Sequence, residues 1–309
     1  MDEIEAMLRP RFEESRADVS FPLTAVVGHQ EAKRAMILSL INPGLSLLIY
    51  GERGLGKKTL LMSASNFLPE MDSTGCSFNC DPHNRVLMCT DCRKGGWIPR
   101  SISTPFVIFP YSIDEKMLLG SEDNVQSSIL GNSNRGILAM RDMENYSDKI
   151  TDTVFGALRD KKHEVGGFTY PCFFQPIATY NGIPGPIKEN FILRVRVEEV
   201  RDVEERIEIL RRVEMFRKNP FGFYDAYGKE EERLRGRIDE GRKILKKIGI
   251  PEKVTEDIRK RVKDYGLKKE YERRLIMASS TNAAYEGRLA VSMEDVREVM
   301  KMVLPSSEP

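Results

Sequence analysis

The sequence predicts an α/β fold in which a parallel sheet flanked by helices is followed by a wholly helical region. Up to about residue 200, short apolar runs that suit buried strands alternate with helically periodic stretches. Such alternation favours a parallel sheet. After Val200 only long, charged, helically periodic stretches remain. A glycine-rich turn between the first apolar run and the helix after it predicts a functional site at the end of the first strand.

The composition sets limits on what the protein can be. The chain has 309 residues, 40% of them hydrophobic, which is enough for two domains with real cores. Its 48 basic and 47 acidic residues nearly cancel, so the overall charge favours binding neither to nucleic acid nor to a membrane surface. Residues 1–20 form a charged lead-in without the apolar core of a signal peptide, and no apolar run is long enough to span a bilayer. We therefore expect a cytoplasmic protein with reduced cysteines.

Before the glycine-rich turn, residues 31–40 have the periodicity of an amphipathic helix. Residues 47–50 then read as a buried strand, and a helix is predicted from Lys57 towards Pro69. In this context the pattern G-x-x-x-x-G-K predicts a phosphate-binding loop, whose backbone N–H groups surround a phosphate while Lys57 reaches the outer phosphates. The alternative is a glycine-rich turn before an ordinary helix. The predicted nucleotide-binding residues are Gly51, Glu52, Arg53, Gly54, Leu55, Gly56, Lys57, Lys58 and Thr59.

One position of this loop departs from the pattern. A Ser or Thr directly after the lysine supplies the hydroxyl that ligates Mg²⁺ in P-loop proteins. Here Lys58 occupies that position and Thr59 comes one residue later. A helix turns by about 100° per residue, so Thr59 is expected to point elsewhere. The sequence predicts ATP binding and leaves binding as Mg-ATP in doubt.

The remaining elements follow the same alternation and then change. Strands are predicted at residues 104–110, 136–140, 173–180 and 192–197, the last with the alternating pattern of a strand near a sheet edge. A helix is predicted at 150–159. Ser292 is a candidate N-cap for the final helix. The helices predicted in the C-terminal part are 202–217, 229–248, 251–265, 270–285 and 293–303.

A segment between the loop and the second predicted strand is rich in cysteine. Cys76 and Cys80 are followed by Cys89 and Cys92, which is typical of a tetrahedral structural zinc site built on two turns. The same four thiolates also suit an iron–sulfur cluster, and four unrelated cysteines remain an alternative. The segment is poor in core-forming residues, so we expect it to need a metal for order. The isolated Cys172 is expected to pack in the core.

Several motifs resemble one family. FPLTAVVGHQEAKRAMILSLINP, GERGLGKKT, SNRGILAM and NAAYEGRLAVSMEDVREVM are similar to the AAA+ ATPase subunit, the I subunit, of magnesium chelatase and its cobalt-chelatase relatives. The resemblance implies a five-stranded parallel sheet with a helical lid, in a homo- or hetero-oligomeric ring that binds ATP between subunits. It also implies a chelatase-type partner subunit that inserts metal into a tetrapyrrole. The implied domains are 1–200, with the cysteine insertion at about 74–97, and the lid at 201–309.

The resemblance also assigns site residues, and some depart from the family. After RGIL, the family has Asp-Glu, which hold Mg²⁺ and position water, whereas Arg141 and Asp142 stand here. Asp142, or Glu144 if the strand end carries a bulge, remains able to polarise water. Asn181 matches the polar sensor residue beside the γ-phosphate. The resemblance therefore implies Asp142 and Asn181 as catalytic residues.

Two further departures concern arginines. Asn190 stands where the family offers an arginine to the neighbouring subunit's nucleotide, unless Arg194 takes that role, and Met277 stands at the lid's sensor arginine. Together with Lys58 and Arg141, these changes indicate slow or absent hydrolysis, unless the match is out by a residue at some positions. Lys58 and Arg141 are alternatively cations that neutralise phosphate without a metal, or are simply solvated. Two hypotheses follow, a chelatase-type motor subunit and a hydrolysis-deficient nucleotide-sensing scaffold that works with an active paralogue.

Overall fold

The centre of the molecule is a five-stranded sheet whose strands all run parallel. The computed structural model of the protein describes residues 19–305, so the predicted lead-in at 1–20 lies outside the described residues except for its last two positions. The strands of this sheet are β1 (Leu47–Gly51), β4 (Phe106–Ile108), β5 (Ile137–Met140), β8 (Gln175–Asn181) and β9 (Leu193–Arg196). Their order in the sheet is β4-β5-β8-β1-β9.

Helices alternate with the strands of the sheet up to β9, and only helices follow β9 among the described residues. The helices up to β9 are α1 (Gln30–Ile41), α2 (Lys57–Ser63), α3 (Thr90–Lys94), α4 (Glu115–Leu119), α5 (Ile129–Asn132) and α6 (Asp148–Asp160). The helices after β9 are α7 (Val203–Lys218), α8 (Pro220–Ala226), α9 (Gly228–Leu245), α10 (Glu252–Asp264), α11 (Glu270–Tyr285) and α12 (Met293–Val303). The predicted fold class, a parallel five-stranded sheet followed by a helical region, is confirmed. The predicted edge position of the fifth strand is confirmed as well, because β9 lies at one end of the sheet.

Strand β1 shows how the sheet divides the core into two. Leu47 and Ile49 face one hydrophobic cluster, and Leu48 and Tyr50 face the other, as the two-residue period of a strand requires. The first cluster includes α1 and the apolar faces of α9 to α12. The second includes α6, Tyr170 and the cysteine insertion. Helices α9 to α12 thus share a core with the sheet.

Polar contacts fix the C-terminal helices onto α1. The guanidinium of Arg34 on α1 donates to the Asn282 side chain, forms an ion pair with Glu286 at 2.6 Å, and lies over the Tyr285 ring. The predicted N-cap at Ser292 is confirmed, because its hydroxyl accepts from the Asp295 amide in a reciprocal capping box. The capping box satisfies the start of α12, and Arg34, which also forms an ion pair with Glu298 at 3.2 Å, holds α11 and α12 against α1.

Two antiparallel ribbons extend from the sheet. The first pairs β2 (Glu70–Ser73) with β3 (Arg100–Ser103), and the cysteine insertion connects these two strands. The second is the hairpin β6 (Lys162–Val165) with β7 (Phe168–Pro171), which leads directly into β8. Within residues 19–305, none of the helices combines the length and the apolar character that crossing a bilayer requires.

Candidate functional site

The predicted phosphate-binding loop joins the carboxyl end of β1 to the start of α2. Gly54 and Gly56 adopt φ values of 88° and 77°, which favour glycine, and no heavy atom lies within 4 Å of a Cβ built on either residue. A Cβ on Gly51 would lie 2.3 Å from the carbonyl oxygen of Val197, so only glycine fits there. The loop therefore has the shape of an open cradle with its backbone accessible, as phosphate binding requires.

Lys57 is the first residue of α2 and is almost fully buried. Its residue is 4% exposed, and its ammonium donates to the carbonyl oxygens of Gly51, at 2.9 Å, and Glu52. Burial lowers the pKa of Lys57, and the nearby carboxylates of Asp142, Glu144 and Glu52 oppose that shift. The ammonium thus lies between the loop and an acidic cluster.

The other predicted loop residues have different surroundings. Glu52, Arg53 and Lys58 are exposed, whereas Leu55 and Thr59 are half-buried. Lys58, which stands where the loop pattern has a hydroxyl, therefore faces solvent. Of the two lysines, only Lys57 is enclosed by the site.

Two carboxylates and an amide converge next to this lysine. The side-chain amide of Asn181, at the end of β8, donates to Asp142 Oδ1 at 3.1 Å and to a carboxylate oxygen of Glu144. The Asn181 backbone N–H donates to the other Glu144 oxygen at 3.0 Å. Because the carboxyl ends of β1, β5 and β8 share one edge of the sheet, Asp142, Glu144 and Asn181 lie beside the loop.

The backbone at Asp142 explains why Glu144 takes part. Asp142 adopts a left-handed conformation with φ of 51°, and its N–H donates to the Thr179 hydroxyl at 2.9 Å. This turn ends β5 and directs the chain so that Glu144 returns to Asn181. The sequence offered Glu144 only as an alternative. Thr179 was missed, although a polar residue inside an apolar run two positions before Asn181 was a usable signal.

Arg141 packs against an aromatic ring. Its guanidinium carbon lies 5.0 Å from the centroid of the Tyr111 ring, and its buried Nε has no hydrogen-bond partner among the described residues. The Tyr111 hydroxyl donates to Asp142 Oδ2 at 2.7 Å. Burial and the hydrogen bond to Asp142 raise the pKa of Tyr111. Arg141 thus contacts the tyrosine that holds Asp142, a tyrosine that the sequence analysis did not single out.

The structure places the two arginine-finger candidates differently. Asn190 is exposed. Arg194 is only 6% exposed, forms an ion pair with Glu189 at 2.9 Å, and donates to the carbonyl oxygen of Val303. These bonds hold Arg194 inside its own subunit, so the alternative that it replaces the trans arginine is not supported.

The lid position assigned to a sensor arginine lies elsewhere. Met277 on α11 packs beside Gly44, in the turn that precedes β1. The phosphate-binding loop follows β1, so Met277 is at the opposite edge of the sheet. The Arg274 guanidinium on the same helix donates instead to the carbonyl oxygens of Glu189 and Phe191.

A cavity of about 510 Å³ lies next to the loop. His29 and Tyr50, the residue just before Gly51, both line the cavity. Burial and the neighbouring Lys33 lower the pKa of His29. The lining combines the start of α1, the end of β9 and the end of α12. It consists of Gly28, His29, Gln30, Glu31, Ala32, Tyr50, Arg194, Arg196, Val197, Glu198, Glu199, Val200, Glu205 and Lys301.

The four predicted metal ligands come together in the insertion. The sulfur atoms of Cys76, Cys80, Cys89 and Cys92 all lie within 4.8 Å of one another, and such a group can hold a metal ion. The backbone N–H of Cys89 donates to Cys80 Sγ at 3.2 Å, and that of Cys92 approaches Cys89 Sγ at 3.5 Å. These donors stabilise negative charge on sulfur.

The other candidates near the cysteine group have separate roles. His83 is exposed and lies 3.5 Å from Asp72, outside the group of four thiols. Cys172 is fully buried, and burial raises its pKa to about 12, which confirms its expected packing role. The expectation that the segment contributes little to the core is wrong in part, because Phe78 and Met88 are 2% exposed within the second core.

Comparisons with known proteins agree with this geometry. The family described as magnesium chelatase, subunit ChlI, matches residues 22–211. A magnesium-chelatase subunit ChlI homolog of Methanocaldococcus jannaschii is 31% identical, over 92% of this chain and 84% of its own length. A magnesium-chelatase 38 kDa subunit of Acidiphilium rubrum is 26% identical, over 92% of this chain and 90% of its own. A structure of the BchI–BchD complex of magnesium chelatase shares the fold, with a TM-score of 0.52, 20% identity, and coverage of 94% of this chain and 98% of the other.

Proposed function

Because the chain belongs to the magnesium chelatase subunit ChlI family, we propose that it is an ATP-binding AAA+ subunit of a chelatase-type complex. In this role its nucleotide state is coupled to the insertion of a metal into a tetrapyrrole by a partner subunit. Assembly into an AAA+ ring, with nucleotide between neighbouring subunits, is part of the proposal. The observation that carries it is the open loop at the end of β1 beside the acidic cluster of Asp142, Glu144 and Asn181.

The residues of the site divide the work. Bound ATP supplies the phosphoryl group, and the loop and Lys57 hold its phosphates. Asp142 would offer a carboxylate oxygen to a bound Mg²⁺. Glu144, which accepts from both the backbone and the side chain of Asn181, would take a proton from an attacking water. Asn181 orients both carboxylates. We infer that the nucleoside half of ATP extends into the cavity lined by His29, which has the volume expected for a small-ligand site.

A second candidate function rests on the arginines. The exposed Asn190 offers no positive charge to a neighbouring subunit, and Arg194 is engaged within its own. Loss of an arginine finger slows phosphoryl transfer by about 10³-fold or more. These observations favour a subunit that binds nucleotide, hydrolyses it slowly by itself, and senses nucleotide in a ring with an active paralogue.

ATP turnover of the purified chain, alone and mixed with the catalytic partner subunits, separates the two functions. For a motor subunit, Glu144→Gln should lower turnover by about 10²-fold or more while nucleotide binding persists. Glu256→Gln, on the exposed face of α10, is the matched control and should change nothing. For a sensor, the chain alone should turn over little ATP, and Glu144→Gln should leave the turnover of the mixture intact. Absence of nucleotide binding at millimolar ATP would reject both.

We also propose that Cys76, Cys80, Cys89 and Cys92 hold one structural Zn²⁺. Tetrahedral zinc with bonds of about 2.3 Å to sulfur separates its ligand atoms by about 3.8 Å. That spacing suits four sulfurs which all lie within 4.8 Å of one another. An iron–sulfur cluster would place iron–iron edges between the thiolates and spread them farther apart. With four protein thiolates there is no open coordination position, so the ion would be structural.

Metal analysis of freshly purified protein tests the zinc proposal. The expected result is about one zinc per chain, lost in a Cys89→Ser variant and kept in Cys172→Ser. Stoichiometric iron with visible absorption would show an iron centre instead, and a metal-free chain that keeps the loop resistant to proteases would reject the site.

A further inference from the structure

The cysteine insertion contacts the β6–β7 hairpin through both of its cysteine turns. The first turn comprises residues 76–80 and the second residues 89–92. In the second turn, the Thr90 hydroxyl accepts from the Thr169 backbone N–H at 2.8 Å and donates to the Thr169 carbonyl at 3.3 Å. Thr90 thus satisfies both backbone groups of one β7 residue, and it lies between two of the proposed zinc ligands.

The first turn contributes an aromatic ring. Phe78, between Cys76 and Cys80, stacks on Tyr170 with centroids 4.9 Å apart and an interplanar angle of 10°. It also contacts Phe168 at 5.6 Å. Phe78 and Tyr170 are 2% and 0% exposed, so this stack is part of the second core.

Apart from the two cysteine turns, the Tyr170 side chain attaches β7 to the rest of the fold. Tyr170 is held through its hydroxyl, which donates to Leu119 and accepts from Ser128. Along the strand itself, β7 pairs only with β6 among the described residues, since the five-stranded sheet does not include it. The Tyr170 hydroxyl and the two cysteine turns therefore hold β7 together.

We propose that the metal held by the four thiolates is the anchor of the β6–β7 hairpin, so that metal occupancy controls whether the hairpin is ordered. This inference rests on the metal site proposed above. The ion fixes the two turns relative to each other, and each turn carries one contact to β7. Loss of the ion separates the turns, and Thr90 and Phe78 then no longer reach β7 together.

The loss of order on metal removal should stay confined to the hairpin, although the first turn is also joined to the residues just ahead of β8. The Asn134 side chain donates to the Phe78 carbonyl at 2.8 Å and accepts from the Phe173 N–H at 3.0 Å. It joins the first turn to the residues just ahead of β8. Because β8 is paired on both sides in the sheet, its amides are expected to stay protected when the hairpin opens.

Amide hydrogen exchange on the full-length protein, read at the hairpin and at β8, tests the inference. A mercurial reagent displaces the metal, dithiothreitol then regenerates the thiols in the presence of a chelator, and Zn²⁺ is finally added back. Metal removal should speed exchange at residues 163–170 by at least about tenfold, with little change in β8, and Zn²⁺ should restore protection. Unchanged hairpin exchange in protein that has lost its metal would overturn the inference. A protein that contains no metal as purified would instead overturn the zinc proposal.

A substitution that leaves the sulfur atoms alone provides an independent arm. Thr90→Val keeps the side-chain shape and removes both bonds to Thr169. It should retain about one metal per chain and still speed exchange at Thr169 by at least about tenfold. Thr153→Val removes a comparable hydroxyl bond on the exposed face of α6 and serves as the control. Unchanged protection of Thr169 in Thr90→Val would contradict the proposed attachment.

Discussion

Lys57 and Lys58 are adjacent cations whose surroundings predict opposite effects on nucleotide affinity. Lys57 is 4% exposed, whereas Lys58 faces solvent. Unit charges about 4 Å apart interact by about 4 kcal/mol at the effective dielectric constant of about 20 that suits a partly buried site. Water on the open side of the loop reduces this gain. We therefore expect Lys57→Met to weaken ATP binding by about 10²–10³-fold.

The exposed neighbour supplies the comparison. A solvated surface charge contributes about 0–1 kcal/mol, so Lys58→Met should change the dissociation constant by at most about fivefold. Titration with a fluorescent ATP analogue, with and without Mg²⁺, measures both variants under one condition. A larger loss in Lys58→Met than in Lys57→Met would refute the argument from burial. It would favour the alternative that Lys58 itself neutralises the phosphates.

Substitutions at three further positions test other parts of the structure. Asn190→Arg should raise ATP turnover of the oligomer by about tenfold or more, and unchanged steady-state turnover would show that this position does not face a neighbour's nucleotide. Glu231→Ala should destabilise the fold by about 2–4 kcal/mol in urea unfolding, because it leaves the Thr24 N–H and hydroxyl without their 2.9 Å acceptor. Burial raises the pKa of Glu231 above its ordinary value of about 4.5, so the folded state binds the carboxyl proton more tightly than the unfolded state does. The contribution of Glu231 to the free energy of unfolding is therefore largest below about pH 4.5 and falls as the pH rises through the raised pKa. Glu231→Gln should remove this pH dependence. Cys172→Ser should lower the thermal midpoint without changing metal content, since a hydroxyl replaces a fully buried thiol.

Local sequence patterns predicted the phosphate-binding loop, the cysteine cluster and the last helix cap well. The loop from Gly51 to Lys57 needs only a strand, three glycines and a helix start, and all of these are adjacent in the chain. The same holds for Cys76 to Cys92, whose four sulfurs meet as the spacing predicted. Ser292 also caps the last helix as its sequence context indicated.

Features that depend on distant segments were harder to predict. The participation of Glu144 follows from a left-handed turn at Asp142 and a hydrogen bond to Thr179, neither of which a gapless match to a family can show. The position of Met277 depends on how α11 packs against the rest of the core. Met277 lies beside Gly44 and not at the phosphate-binding loop, which the sequence alone could not show. Arg194 is engaged by Val303, more than a hundred positions away in sequence.

The packing around Gly131 has a consequence for how this protein diverges from its relatives. A methyl group at Gly131 would lie 2.6 Å from the Phe78 ring and 3.1 Å from the Tyr170 ring. The space that a larger residue would need is therefore already filled by the insertion. Relatives that lose the four cysteines also lose the reason to keep this space open. We expect glycine at this position, the aromatic pair and the cysteines to be inherited or replaced together, as one evolutionary unit.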